Sequence, residues 1–248
     1  MIVSQKKTSE HWYTRDGEPM YTVVGKTGVR PTTLRDARTK DLVPSVTTIL
    51  NVAAKPALIA WMQKQVLMSA LTMQRIGDEP DAAYMDRILV DSRELAKAAA
   101  DAGTDIHNSI EAFYSGNKPS RHFEHVKAVS DALQEEFGDQ DWVAEKSFGH
   151  ELGFGGKCDL HSLEVVVDVK TKEFGPGDDV DGYDEHLMQL AAYRVGLGLP
   201  EAKCANIFVS RTHPGLVVIK NWNEDELVRG WEQFQCLLRF WQLKHNYR

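Results

Sequence analysis

The sequence predicts an α/β (α+β) fold, with a central mixed β-sheet flanked by helices and a helical N-terminal region. Three observations carry this. Helical periodicity runs from Pro56 to about Gly116 and again from Arg121 to Phe137. The character changes at Asp141, after which short strand-like runs follow one another. One helix-period segment, EHLMQLAAYRVGLG, interrupts those runs, and an amphipathic helix ends the chain. A single domain over 1–248 is expected: a mainly helical part over 1–140, a sheet core over 141–222 and a C-terminal helix over 223–248.

In order, YTVVGKTGVRPTTL alternates around two turn glycines and reads as a small hairpin. VPSVTTIL opens with Pro44 and Ser45, and Ser45 suits the N-cap of a short helix. After the two helical stretches, WVAEKSFG, FGGKCDLHS and EVVVDVK read as strands. A charged, Gly-rich loop, TKEFGPGDDVDGYD, leads into the inserted helix. KCANIFVS and GLVVIKNW are two more strands, and Asn223 caps the final helix. In that helix Trp231, Phe234, Leu238 and Trp241 fall at helical spacing and form a buried stripe.

The chain has 248 residues and a formal net charge of −7, which argues against a protein that mainly coats nucleic acid or an anionic membrane. It does not exclude an enzyme with a carboxylate site. Cys158, Cys204 and Cys236 show no CxxC spacing, so no disulfide framework or four-Cys cluster is expected. The opening MIVSQKKTSEHWY has no apolar leader pattern, and no apolar run is long enough to span a membrane. These readings give a cytoplasmic protein with reduced thiols and no membrane partner.

The segment GGKCDLHSLEVVVDVKTK carries the chemistry. Val165, Val167 and Val169 alternate with Val166, Asp168 and Lys170, so a carboxylate and an ammonium share one face of a Val-rich strand. Charges there are costly unless paired or ligating. With Ser162 and Leu163 as a two-residue turn, Asp159 faces Val166 and becomes the diagonal neighbour of Asp168, roughly 7–8 Å away. Two such carboxylates can hold one Mg²⁺. Lys170 can orient or deprotonate a water, or neutralise a developing charge. Gln189 and Tyr193 share a helix face and can hydrogen-bond a phosphate or Lys170. His107 lies on an early helix and, as a ligand, tilts the preference towards Mn²⁺. Glu111, one turn further, reads as a helix-surface residue. Glu145 supplies another carboxylate, for metal or water.

His107, the Gly156–Asp159 element, Asp168-Val169-Lys170 and Gln189 through Tyr193 occur in one order. In that order they resemble the PD-(D/E)xK nuclease superfamily, specifically its RecB-like exonuclease branch. Pro44 to Leu50 (PSVTTIL) is similar to the mitochondrial genome maintenance and phage exonucleases of that branch. The resemblance spans Pro44 to Tyr193 and implies a restriction-endonuclease-like core. It implies His107, Asp159, Asp168 and the Val169 carbonyl as ligands of Mg²⁺ or Mn²⁺, with Lys170 activating water and Gln189 and Tyr193 supporting the site. It also implies an exonuclease acting on DNA ends in phage or bacterial recombination, repair or replication, alongside a recombination or replication protein, in the host cytoplasm if phage-encoded. Some relatives carry an iron–sulfur cluster on four cysteines, and three scattered ones do not supply it. Two rival readings share the fold: an inactive binding or assembly module, and a site-specific endonuclease.

Four side expectations complete the reading. His150 and His161 face solvent near turns. Asp178, Asp179, Asp181, Asp184 and Glu185 form a mobile solvated loop. Lys146, Lys157, Lys172, Arg194 and Arg211 are candidates for a local basic surface holding DNA. Without metal, the grip on DNA is modest and falls steeply with salt.

Overall fold

The computed structural model describes residues 10–119 and 121–247. Residues 1–9, on which most of the leader reading rests, lie outside them. The first described elements are β1 (Trp12–Tyr13), β2 (Thr22–Gly25) and β3 (Gly28–Pro31), and β2 and β3 form the expected hairpin. Then comes α1 (Leu34–Lys40), which the sequence reading passed over; Thr33 and Asp36 close a reciprocal capping box at its start. The short strand β4 (Val43–Pro44) pairs with β1, and Ser45 caps α2 (Val46–Leu50) by accepting from the Thr48 amide.

The helical region resolves into α3 (Pro56–Thr72), α4 (Asp81–Tyr114) and α5 (Phe123–Phe137). Strands β5 (Val143–His150), β6 (Phe154–His161) and β7 (Val165–Lys172) follow, then α6 (Asp184–Gly196), β8 (Lys203–Ser210), β9 (Val217–Trp222) and α7 (Glu224–His245). The five strands form one mixed sheet in the order β5-β6-β7-β8-β9. Only β7 and β8 run parallel, joined by the α6 crossover; the other neighbours are antiparallel. This is the sheet flanked by helices that the sequence predicts.

Each face of the sheet has its own core. On one, α2, α6 and α7 pack on Phe148, Phe154, Cys158, Val166 and Cys204. On the other, α4 and α5 pack on Leu160, Val165, Val167, Val169, Ile207 and Val209. Phe234, Leu238 and Trp241 of α7 are buried and Trp231 packs beside them, as the helical stripe requires. No helix among the described residues is long and apolar enough to cross a membrane.

The β6–β7 turn differs from expectation. Ser162 and Val165 close it through a Ser162 N–H to Val165 carbonyl bond of 2.8 Å, leaving Leu163 and Glu164 at the tip. The Ser162 hydroxyl accepts from the Glu164 and Val165 amides, which stabilises this turn over the one centred on Ser162 and Leu163. Leu160 therefore pairs with Val167 and His161 with Val166. Continuing that register sets Asp159 level with Asp168 rather than diagonal to it. The pairing stops at Leu160, so Asp159 is not held to the face of Asp168.

Candidate metal and phosphodiester site

β6 and β7 are each eight residues long, yet they pair only at Leu160–Val167 and His161–Val166. Beyond Leu160 they part, and the Asp159 carboxylate bridges the gap. Its Oδ2 accepts the Val169 backbone N–H at 2.8 Å. Across β5–β6 the register pairs Ala144 with Leu160 and Lys146 with Cys158, setting Glu145 opposite Asp159. Glu145 has φ of +55°, a left-handed conformation inside a strand, which costs about 1–3 kcal/mol for a residue with a Cβ. The faces change here as well. Cys158 packs with the α6-side core and Leu160, two residues on, with the α4-side core. A regular strand would keep both on one side. This local turn of both strands carries Glu145 and Asp159 towards α4.

From α4 comes His107. A Cβ at Gly103 would lie 2.4 Å from Thr171 Oγ1, so glycine there lets α4 approach β7 without displacing that hydroxyl. One turn further on, His107 Nε2 lies 3.7 Å from Glu145 Oε1 and 3.6 Å from Asp159 Oδ1. One ligand atom from each of the three lies within 4.8 Å of the others. These separations exceed hydrogen bonds. They are of the size kept by ligands sharing a cation with bonds of about 2.0–2.2 Å. Two carboxylates and one imidazole, half-buried, could hold a metal ion. Oε2 of Glu145 meets the Lys157 ammonium as an ion contact not aligned as a hydrogen bond.

Asp168 is engaged differently. It is 1% exposed. Lys170 Nζ donates to its Oδ1 at 2.8 Å and lies 2.7 Å from Oδ2, and Asn206 Nδ2 donates to Oδ2 at 2.8 Å. Lys170 also donates to Gln189 Oε1 at 3.1 Å, and Gln189 Nε2 donates to the Tyr193 hydroxyl at 2.9 Å. A Cβ at Gly156 would meet the Phe148 and Tyr193 rings at 2.8 and 2.9 Å, so glycine there lets Tyr193 lie under the strand.

Of the expected ligands, His107 and Asp159 thus meet, and Glu145 joins them. Asp168 lies outside that group, its oxygens held by Lys170 and Asn206. Val169 contributes its N–H to Asp159. Sequence reasoning missed Asn206, although a polar residue in the buried run KCANIFVS was a usable signal.

Charge is redistributed by burial. Desolvation, then the Asp168 charge, push the Asp159 carboxyl up to about 6, against the opposing pull of His107 and Lys170. Burial would lower Lys170, but Asp168 and Asp159 outweigh it and raise its pKa, keeping the ammonium. Burial, then Lys170, lower His186 to about 4. Burial, then Asp159 and Asp168, hold the Tyr193 phenol well above its ordinary range.

Several side expectations are corrected. His150 is half-buried, its ring tilted against Phe154 with centroids 4.7 Å apart. His161 is half-buried too, and its Nε2 is enclosed without a hydrogen-bond partner. Arg194 is buried and doubly bonded to Glu224, so it offers no basic surface. Arg211 donates to the Ala99 carbonyl and faces Glu173. Lys146 is exposed, while Lys172 lies over the Phe208 ring. The acidic segment is not simply a solvated loop. Asp184 and Glu185 open α6, Asp178 accepts the Gly175 amide, Asp181 pairs with Lys220, and Glu185 pairs with Lys55.

No family model and no curated protein matches the chain. Among solved structures it is similar to an alkaline exonuclease from Laribacter hongkongensis, at 11% identity over 81% of this chain and 91% of that one, with a TM-score of 0.35. It is also similar to the protein SSO0001, at 14% identity over 72% of this chain and 85% of that one, with a TM-score of 0.29.

Proposed function

We propose that the chain is a divalent-metal-dependent deoxyribonuclease of the PD-(D/E)xK type, an exonuclease hydrolysing phosphodiester bonds from DNA ends. One observation carries the reading: the Asp159 carboxylate faces His107 while bonding the amide between Asp168 and Lys170. A cation-holding group and a carboxylate–ammonium pair thereby share one notch in the sheet.

His107, Glu145 and Asp159 would hold the cation, Mg²⁺ or Mn²⁺; the imidazole favours Mn²⁺ and the carboxylates suit both. When bound, such a cation polarises a phosphoryl oxygen and lowers the pKa of water. The chain supplies the rest. Lys170, held as an ammonium, donates to a water or a phosphoryl oxygen and offsets charge developing on phosphorus. Asp168 keeps that ammonium in place. Gln189, itself fixed by Tyr193, aims Lys170 from the other side. As a single domain in the cytoplasm, the chain would work on DNA beside recombination or replication proteins.

The test is a time course on end-labelled single- and double-stranded oligonucleotides with Mg²⁺, Mn²⁺ or EDTA, with closed-circular DNA in parallel. Release of nucleotides from linear DNA, sparing of circles and silence in EDTA are expected. Cut circles would favour the endonuclease. No hydrolysis with either cation would leave the binding module.

A further inference from the structure

We propose that Asn206 is a positioning residue for Asp168, with its orientation enforced by Trp222. The proposal rests on reading Asp168 and Lys170 as the cleaving pair.

Asn206 is fully buried on β8, in register with Asp168 across the parallel β7–β8 pair. Its neighbours Ala205 and Ile207 are also fully buried. An amide costs stability there unless its polar atoms are satisfied. They are: Nδ2 donates to Asp168 Oδ2 at 2.8 Å, and Oδ1 accepts Trp222 Nε1 at 2.8 Å.

The order of donors matters. An indole nitrogen can only donate, so it must meet the amide oxygen. The amide nitrogen must then point at Asp168. Trp222 thus removes the flipped state, in which Asn206 would set its oxygen against a carboxylate oxygen. With one Asp168 oxygen fixed in this way, the carboxylate plane is set for Lys170.

Trp222 is itself clamped. A Cβ at Gly182 would lie 2.4 Å from its Cζ2, so the loop before α6 packs closely against the indole at that residue. Lys220 sits 5.0 Å from the ring centroid and pairs with Asp181 of that loop at 3.2 Å. The chain of contact runs from this loop through Trp222 and Asn206 to Asp168.

The experiment compares wild type, Trp222→Phe, Asn206→Leu and the double variant in cleavage of linear DNA with Mg²⁺ or Mn²⁺. Asn206→Leu should lower kcat about tenfold or more, with KM for DNA within about twofold. Trp222→Phe keeps a ring against Gly182 and should lower kcat by less. The double variant should match Asn206→Leu alone, because the indole acts only through the amide. Raised KM with unchanged kcat, or multiplying effects, would overturn the proposal. A second readout needs no activity: the Trp222 indole N–H resonance should move in Asp168→Asn. An unmoved resonance would overturn the relay. A wild type that fails to cleave DNA while this resonance still moves would remove the nuclease reading and leave the relay standing.

Discussion

Asp159 Oδ2 accepts the backbone N–H of Val169 at 2.8 Å, where β6 and β7 have stopped pairing. One side chain replaces a lost ladder bond and at the same time aims its second oxygen at His107. The bond joins the two halves of the site, because Val169 separates Asp168 from Lys170 in the chain. Burial of this carboxylate, then the charge of Asp168, raises its pKa.

Metal binding should depend on Glu145 as much as on His107. His107→Ala and Glu145→Ala should each weaken Mn²⁺ binding about tenfold or more in titration calorimetry. Unchanged affinity in Glu145→Ala would remove it from the ligand set.

Strain at Glu145 gives a stability test of unusual sign. Glycine inside a strand normally costs about 0.5–1 kcal/mol relative to alanine. At φ of +55° the order should reverse, with Glu145→Gly more stable than Glu145→Ala by about 1 kcal/mol in denaturant unfolding. A less stable glycine variant would contradict the strained geometry.

Gly156→Ala should be destabilising by about 1–3 kcal/mol, since its Cβ would collide with the Phe148 and Tyr193 rings. Displacing Tyr193 also loosens Gln189, so cleavage should fall further than stability alone explains. A variant with native melting and native cleavage would refute the close approach.

Two buried groups act on the pH dependence of the metal-free chain in opposite directions. Asp159 rises from 3.8 to about 6 on folding, so its contribution is fully present below pH 3.8 and is lost as pH rises through about 6. His186 falls from 6.5 to about 4, so its contribution is present above pH 6.5 and is lost as pH falls through about 4. Between about pH 4 and 6.5 the two act against each other. Asp159→Asn should therefore lose stability relative to wild type on acidification across that window, in EDTA. A constant difference between the two proteins would contradict the account.

With a net charge of −7, metal-free DNA binding should be modest and fall steeply with salt, measured by anisotropy in EDTA. Tight, salt-insensitive binding would contradict this.

Much of the sheet is legible because short strand-like runs, with valines concentrated in β7 and β9, are set apart by turn residues, and β5 to β9 fall where those runs do. The helix α1 was not read, although Thr33 and Asp36 carry a capping-box signature; the alternating stretch before it drew that region into the hairpin. The register of β6 on β7 was misplaced because Ser162 acts through its hydroxyl, bonding two amides, rather than as a turn tip. Asp168 and Lys170 were visible as charges among valines. The same contrast marks Asn206 among the buried residues of β8, but an uncharged amide draws less notice. The nearness of Glu145 to His107 depends on a left-handed residue inside a strand, and no local pattern announces that.

The most direct test is single-turnover cleavage of end-labelled linear DNA in Mg²⁺ and in Mn²⁺ by wild type, Asp168→Ala and Lys170→Ala, with circular dichroism to check folding. The account predicts hydrolysis by wild type, abolished by EDTA, and none by either folded variant. Native-rate hydrolysis by either variant would contradict it.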